Sequence, residues 1–102
     1  MAAFGHMVYF SLKDNSDEKI QTLISACQEF LTDHPGTVYF GAGRLADCHR
    51  EVNDRDFDVA LQLVFESREA QDAYQVAERH DQFIAQQKDN WKQVRVFDTE
   101  IA

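Results

Sequence analysis

The chain has 102 residues, a formal net charge of −8 and a sequence pI of about 4.7. An acidic protein repels phosphate backbones, so we predict no nucleic-acid partner. The hydrophobic fraction of 44% is typical of a folded protein, and the length predicts a single domain over residues 1–102. No apolar run approaches the roughly 20 residues of a membrane helix, and the first residues lack the pattern of a signal peptide. We therefore predict a cytoplasmic protein with no membrane partner.

The first third of the chain predicts a strand followed by a helix. Residues 5–13 alternate between apolar and mixed side chains, as the residues of a half-buried strand do. Over residues 20–31, apolar side chains recur at spacings of three and four, which predicts an amphipathic helix. Pro35 and Gly36 end this helix, because proline cannot continue it and glycine accepts the reversed backbone.

The middle of the chain predicts two strands separated by a charged loop. Residues 37–45 form the weaker strand, since two glycines interrupt it. Residues 46–56 form the loop, and residues 57–65 alternate strictly. One face of this third strand is apolar and contains Phe57, Val59, Leu61, Leu63 and Phe65.

The last third predicts a helix, a shorter helical segment and a final strand. The helix covers about residues 68–78 and begins after Ser67, a residue type that caps helix N-termini well. The shorter segment covers residues 81–89, and the strand covers residues 91–101. His80 then lies at the C-terminal end of the longer helix, where a histidine can cap the last carbonyl groups.

The order βαββαβ predicts an α+β fold, the ferredoxin-like sandwich, with one four-stranded antiparallel sheet and helices packed on one face. The other face would expose largely apolar side chains, namely Met7, Tyr9, Ala60, Gln62, Val64 and Phe97. A small domain with such a face tends to associate, and a face-to-face homodimer would bury it. The alternative is a monomer that tolerates an apolar face.

The two cysteines predict neither a disulfide framework nor a metal site. Cys27 lies on the apolar stripe of the first helix, as a small core residue would. Cys48 follows Asp47 and precedes His49, but three adjacent ligands without a fourth at a suitable spacing do not indicate a metal site. His34 and His49 are predicted to lie in surface loops.

Short motifs are spread along most of the chain, between residues 5 and 99. They are His6-Met7-Val8, Pro35-Gly36, Gly43-Arg44, Val64-Phe65-Glu66-Ser67, Tyr74, His80 with Phe83, and Val96-Phe97-Asp98. In this order and spacing they resemble the stress-responsive A/B barrel domain family of dimeric α+β barrels. The resemblance implies a homodimer whose two sheets curl together into a barrel.

The best understood enzymes among these relatives are similar to plant polyketide cyclases of the olivetolic acid cyclase type, which close an aromatic ring by aldol condensation. The resemblance implies a pocket between sheet and helices, in which His80 is the general base and Tyr74 assists, without metal or organic cofactor. By position, the pocket would be lined by His6, Val8, Phe10, Leu23, Ile24, Cys27, Val59, Leu61, Trp91, Val94 and Val96. Two departures stand out: Val59 replaces a further histidine of the cyclase pocket, and His80 alone is kept from the family's frequent His-Pro-Ala-His stretch.

Three functions are compatible with these residues. The first, which we favour, is the binding of a small apolar or aromatic molecule between sheet and helices. The second is a cofactor-independent cyclase or lyase, since an imidazole titrates near neutrality and suits proton abstraction beside a carbonyl. The third is a structural, stress-associated dimer. Each site residue also has a structural alternative: His80 as a helix cap, His6 as a hydrogen-bonded core residue, and Tyr74 as a packing residue.

Overall fold

Residues 2–102, which the computed structural model describes, form four strands and three helices. In chain order these are β1 (Ala3–Leu12), α1 (Asp17–Phe30), β2 (Thr37–Arg44), β3 (Val59–Phe65), α2 (Arg68–Gln75), α3 (Glu78–Gln87) and β4 (Trp91–Ile101), with a short 3₁₀ turn (Lys88–Asn90) before β4. The strands form one antiparallel sheet in the order β2-β3-β1-β4. The predicted ferredoxin-like βαββαβ architecture is confirmed.

Strand β1 lies in the middle of the sheet and carries the residues that position the core. It pairs with β3 on one side and β4 on the other, so that Val8 lies opposite both Leu61 and Val96. Alternate β1 side chains, from Phe4 to Leu12, are buried beneath the helices. The β3 face that neighbours them is buried in the same way, as the strict alternation of its sequence predicted.

Helix α1 is held at both ends by local hydrogen bonds. Ser16 is its N-cap, and its hydroxyl oxygen accepts a hydrogen bond of 3.3 Å from the Lys19 backbone N–H. After the helix, Gly36 has a φ of +82°, a conformation that glycine adopts without strain. A Cβ at Gly36 would lie 2.6 Å from the Cβ of Ala70, so the link between α1 and β2 packs directly against α2.

The predicted helix over residues 68–78 is wrong in its C-terminal boundary. Helix α2 ends at Gln75, the backbone of Ala77 is extended, and α3 begins at Glu78. The break has a geometric reason, because Tyr74 and Phe83 are both buried toward the sheet. In a continuous helix, residues nine apart lie on opposite faces at about 100° per residue. His80 is consequently in the first turn of α3, and its predicted role as a C-terminal cap is also wrong.

The sheet face opposite the helices carries the side chains predicted to form a dimer interface. Tyr9 lies at its centre, with its ring centroid 5.0 Å from Phe57 and 5.7 Å from Phe97. The Phe97 side chain is 52% exposed. The loop between β2 and β3 folds over one edge of this face, so that loop and sheet enclose a concavity of about 560 Å³. Within residues 2–102, no helix is both long enough and apolar enough to cross a membrane.

Candidate functional site

A cavity of about 180 Å³ lies between the helix-covered face of the sheet and the helices α2 and α3. Strands β1, β3 and β4 and helices α2 and α3 all contribute side chains to it. The structure places most of the predicted site residues around this cavity: His6, Val8, Phe10, Leu61, Tyr74, His80, Trp91, Val94 and Val96. Leu31, Gln75, Phe83 and Ile84 also line it. Sequence reasoning did not assign these four to the pocket.

Four other predicted wall residues lie elsewhere. Leu23, Ile24 and Cys27 on α1, and Val59 at the start of β3, belong to the buried core and do not line the cavity. Leu23 instead lines a separate cavity of about 170 Å³ with Leu12 and Trp91. Burial raises the pKa of the Cys27 thiol to about 12, so this cysteine stays protonated and acts as a packing residue.

Tyr74 occupies the centre of the polar part of the site. Its ring is surrounded by three imidazoles, with centroid distances of 4.8 Å to His80, 5.0 Å to His34 and 5.8 Å to His6. Only 2% of the residue's surface is exposed. Burial raises the pKa of the Tyr74 phenol above its usual value, with the neighbouring Cys27 as a smaller cause. The hydroxyl therefore keeps its proton at neutral pH and can serve as a hydrogen-bond donor.

His6 is paired with a carboxylate that sequence reasoning left without a role. Its Nδ1 lies 2.7 Å from Oδ1 of Asp98, which is its direct neighbour across the β1–β4 pair. On the other side of the ring, Nε2 lies 3.5 Å from the side-chain amide nitrogen of Gln75. The register between β1 and β4 is the signal that identifies Asp98, and alternation within a single strand does not reveal it.

His80 has a different environment. Its ring is half-buried, and within residues 2–102 its buried Nδ1 has no hydrogen-bond partner. Burial lowers the pKa of His80; the adjacent Asp81 opposes this shift, while His6 and His34 add to it. The indole Nε1 of Trp91, on the same cavity, is likewise buried and unpartnered among these residues. Unsatisfied polar atoms of this kind are rare in folded proteins and require an explanation.

His34 was predicted to lie on the surface, and that prediction is wrong. It is only 7% exposed, because its ring turns inward to pack on Tyr74. Its Nε2 lies 2.8 Å from the carbonyl oxygen of Phe30 and donates to it, which caps the end of α1. His49 does lie on the surface, where its Nε2 is 2.5 Å from a carboxylate oxygen of Asp47.

Arg79 fixes the beginning of α3 against the end of α1. Its guanidinium donates to the carbonyl oxygens of Thr32, at 2.9 Å, and Glu29, at 2.6 Å. The Glu29 carbonyl is one of those that α1 leaves unpaired in its last turn, and Thr32 directly follows the C-cap residue Leu31. Because His80 follows Arg79 directly, the same contacts determine where its imidazole stands relative to Tyr74.

The site is thus an apolar chamber with its polar groups gathered on one side. It contains a hydrogen-bond donor of high pKa, a carboxylate-paired imidazole and an unpaired imidazole, the groups used in general acid–base chemistry. Among residues 2–102, no three His, Cys, Asp or Glu side chains are grouped as metal ligands would be.

Several solved structures share this fold. A protein of Arabidopsis thaliana is 25% identical, with 97% of this chain and 95% of that chain covered and a TM-score of 0.79. A dimeric ferredoxin-like protein of unknown function from Thermobifida fusca is 14% identical, with 98% and 92% covered and a TM-score of 0.80. A hydroxynitrile lyase from Passiflora edulis is 18% identical, with 98% and 94% covered and a TM-score of 0.78.

Comparison of the sequence itself gives a more specific result. No protein of curated function matches the chain. The family model for the stress responsive A/B barrel domain, however, matches residues 4–101, which is nearly the whole sequence. The match agrees with the observed fold and with the motifs identified in the sequence. The chain therefore belongs to the stress responsive A/B barrel domain family.

Proposed function

We propose that this protein is a homodimer that binds a compact, mainly apolar molecule in the cavity between its sheet and the helices α2 and α3. The observation that carries the proposal is the composition of the cavity wall. Most of the wall is apolar, while the side chains of His6, Tyr74 and His80 bring polar groups together on one side of it. A ligand with one polar substituent would satisfy such a site.

The size of the cavity indicates a ligand with one ring. An apolar cavity of about 150 Å³ is large enough to bind benzene. The volume of about 180 Å³ found here therefore suits a single substituted ring and is too small for a long polyketide chain. Burying about 150 Å² of apolar surface contributes roughly 4 kcal/mol, which is close to the lowest estimates of the cost of association. Hydrogen bonds to the polar groups are therefore needed for useful affinity.

The sheet face opposite the helices supports the proposed homodimer. It combines the half-exposed Phe97 with the partly buried Met7 and Tyr9 in one concave area, whose rim also carries charged side chains such as Arg44 and Arg95. The Thermobifida fusca protein with the same fold is described as dimeric. A second copy of this chain, placed with its sheet against this sheet, would bury the same set of residues on both sides.

Ligand-induced thermal stabilisation tests the binding proposal. The panel contains benzoic acids, phenols and one-ring ketones, and we expect at least one class to raise the melting temperature, because a ligand that binds the folded state stabilises it. Val96→Trp places a large side chain at the cavity from an already half-exposed position, so this variant should lose the effect. Lys92→Trp makes the same change at an exposed β4 residue away from the cavity and should keep it.

The two variants separate a ligand in this cavity from one elsewhere. If Val96→Trp is stabilised as strongly as the unmodified protein, the ligand binds at another place. If no compound of the panel stabilises the unmodified protein, one-ring ligands are excluded and the structural dimer becomes the better interpretation.

A second candidate function is cofactor-independent lyase or cyclase chemistry. The observation that favours it is the convergence of His6, Tyr74 and His80 on one cavity, with His6 paired to a carboxylate. The similar fold of the Passiflora edulis hydroxynitrile lyase adds support at the level of fold. In this function, His80 or His6 would take a proton from the ligand, and Tyr74 would stabilise the negative charge that develops.

A further inference from the structure

The hydrogen bonds of His6 determine which of its nitrogens carries the proton. An ionised carboxylate only accepts hydrogen bonds, so the 2.7 Å contact with Asp98 places the proton of the neutral imidazole on Nδ1. Nε2 then carries a lone pair. The Asp98 side chain is 46% exposed and the His6 side chain 5%, so the carboxylate keeps its contact with water while it orients a buried ring. A carboxylate in this position also stabilises the imidazolium that forms when the ring accepts a proton.

The Nε2 atom of His6 has one weak hydrogen-bond partner. Both His6 and Gln75 line the cavity, and among residues 2–102 the amide of Gln75 is the only group that hydrogen-bonds to Nε2. At 3.5 Å this is a weak hydrogen bond at the limit of the usual range. A ligand in the cavity can therefore replace Gln75 at the lone pair without losing a strong interaction.

The surroundings of His80 favour the opposite tautomer. Its Nδ1 is buried without a partner, and a buried N–H that lacks an acceptor is less tolerable than a bare lone pair. The proton of neutral His80 is therefore better placed on Nε2. Protonation of both nitrogens is opposed by burial, by His6 and His34 nearby, and by the positive end of α3, while Asp81 favours it.

From these differences we infer that His6, oriented by Asp98, is the proton acceptor of this cavity, and that His80 is a neutral hydrogen-bond donor alongside Tyr74. The inference rests on the proposed ligand site and on its acid–base alternative. It assigns a base different from the one that the family resemblance implied. The matching ligand is a compact one-ring ketone, whose carbonyl oxygen accepts hydrogen bonds and whose neighbouring carbon carries an acidic proton.

The chemical step is a reversible proton transfer. Nε2 of His6 takes a proton from the carbon beside the carbonyl, and the electron pair of the broken C–H bond forms the C=C bond of the enolate. The negative charge moves to the carbonyl oxygen, where Tyr74 and His80 donate hydrogen bonds. Return of a solvent-derived proton from His6 to the carbon regenerates the ketone, so no oxidant or further reactant is needed.

Nitrogen NMR tests the tautomers in the ligand-free protein. We expect ¹⁵N shifts that show the proton on Nδ1 of His6 and on Nε2 of His80, with Asp98→Asn altering the His6 signals. If the spectra instead show the proton of His80 on Nδ1, or that of neutral His6 on Nε2, the inference is overturned. This result does not depend on any ligand.

Deuterium exchange into phenylacetone in D₂O, measured by proton NMR against buffer, tests the roles. His6→Gln should lower the protein-dependent exchange by about 10²-fold or more, because it removes the base. His80→Gln retains a side-chain N–H donor and should lower the exchange less than His6→Gln does, whereas the exposed His49→Gln should leave it unchanged. The melting temperature of each variant verifies that it is folded.

The outcomes of the two measurements are distinct. Loss of exchange in His80→Gln with retention in His6→Gln would make His80 the base and overturn the inference. Stabilisation by phenylacetone without any exchange would leave ligand binding intact and also overturn the role of His6. If phenylacetone neither stabilises the protein nor undergoes protein-dependent exchange, the acid–base function for one-ring ketones is rejected. The inference is then rejected with it, even if the tautomers are as expected.

Discussion

At the scale of single residues, the site depends on polar groups held in an otherwise apolar interior. Tyr74 contacts the rings of three histidines, and these differ in their hydrogen-bond partners. His6 has a carboxylate, His34 a helix carbonyl, and His80 none among residues 2–102. The same residue type therefore has three different hydrogen-bonding environments within one small cluster, and burial lowers the pKa of His80.

This difference predicts how stability depends on pH. Folding lowers the pKa of His80 below its usual value of 6.5. As the pH falls below about 6.5, the unfolded chain takes up a proton that the folded protein still excludes, so the free energy of unfolding decreases. The contribution is complete above pH 6.5 and is lost as the pH falls toward the folded-state pKa. His80→Gln should flatten this part of the curve.

Urea unfolding at pH 7.5, 6.5 and 5.5 measures the effect as a difference between proteins. Every other titratable side chain is the same in both proteins, so the difference between the two curves reports on His80 and its interactions. His49→Gln, which removes an exposed histidine, should leave the slope nearly unchanged. An unaltered slope in His80→Gln would show that His80 titrates alike in both states.

At the scale of elements, the link between α1 and β2 sets the position of α2. Gly36 accepts a hydrogen bond of 2.8 Å from the backbone N–H of Glu66, and its Cα faces the side chain of Ala70. The positive φ and the close approach both require glycine. Tyr74 follows on α2, so the turn at Gly36 indirectly determines the height of the tyrosine above the sheet.

Gly36→Ala should therefore reduce the free energy of unfolding by about 3 kcal/mol, from backbone strain and from a Cβ contact of 2.6 Å with Ala70. Gly43→Ala is the matched control, since a Cβ there meets nothing within 4 Å in the chain. Urea denaturation of the two variants at one pH measures both effects. If Gly36→Ala and Gly43→Ala have the same free energy of unfolding, α2 can move away from the new Cβ with little loss of stability.

At the scale of the whole molecule, the two faces of the sheet differ in what covers them. The helices cover one face, and the other presents Tyr9 and Phe97 in a concavity that Arg44, Asp54 and Arg95 also line. Charge does not favour association, because each chain carries a formal charge of −8. If two copies associate, the attraction must come from burying this apolar area.

Phe97→Asp should consequently convert the proposed dimer to a monomer, because it would bury an unpaired charge in each copy of the interface. Sedimentation equilibrium measures the change. Val76→Asp makes the same substitution at an exposed valine in the break between α2 and α3, away from the sheet face, and should leave the dimer intact. A dimer that persists in Phe97→Asp would place the interface on another surface.

The sequence predicted the elements whose burial has a simple period. Alternation identified β1 and β3, and the three-and-four spacing identified α1. The break between α2 and α3 was missed because neither proline nor glycine marks it. It follows from the need to bury Tyr74 and Phe83 on one side.

The candidate site was predictable to the extent that it depends on strand faces. Alternation placed His6 on the helix side of the sheet, and the family resemblance supplied His80 and Tyr74. The pairing of His6 with Asp98 joins residues 92 positions apart and depends on strand register, which local patterns do not specify. His34 was misplaced because a histidine before proline reads as a turn residue.

The two hydrogen bonds of Arg79 bear on how a molecule enters and leaves the protein. If α3 swung outward to admit a ligand, Arg79 would have to release the carbonyl groups at the end of α1. Beside β4, by contrast, the cavity residues Val94 and Val96 are already 38% and 50% exposed. We expect the ligand to enter and leave along this sheet edge while both helices stay in place. The residence time of the ligand then depends on the side chains of β4.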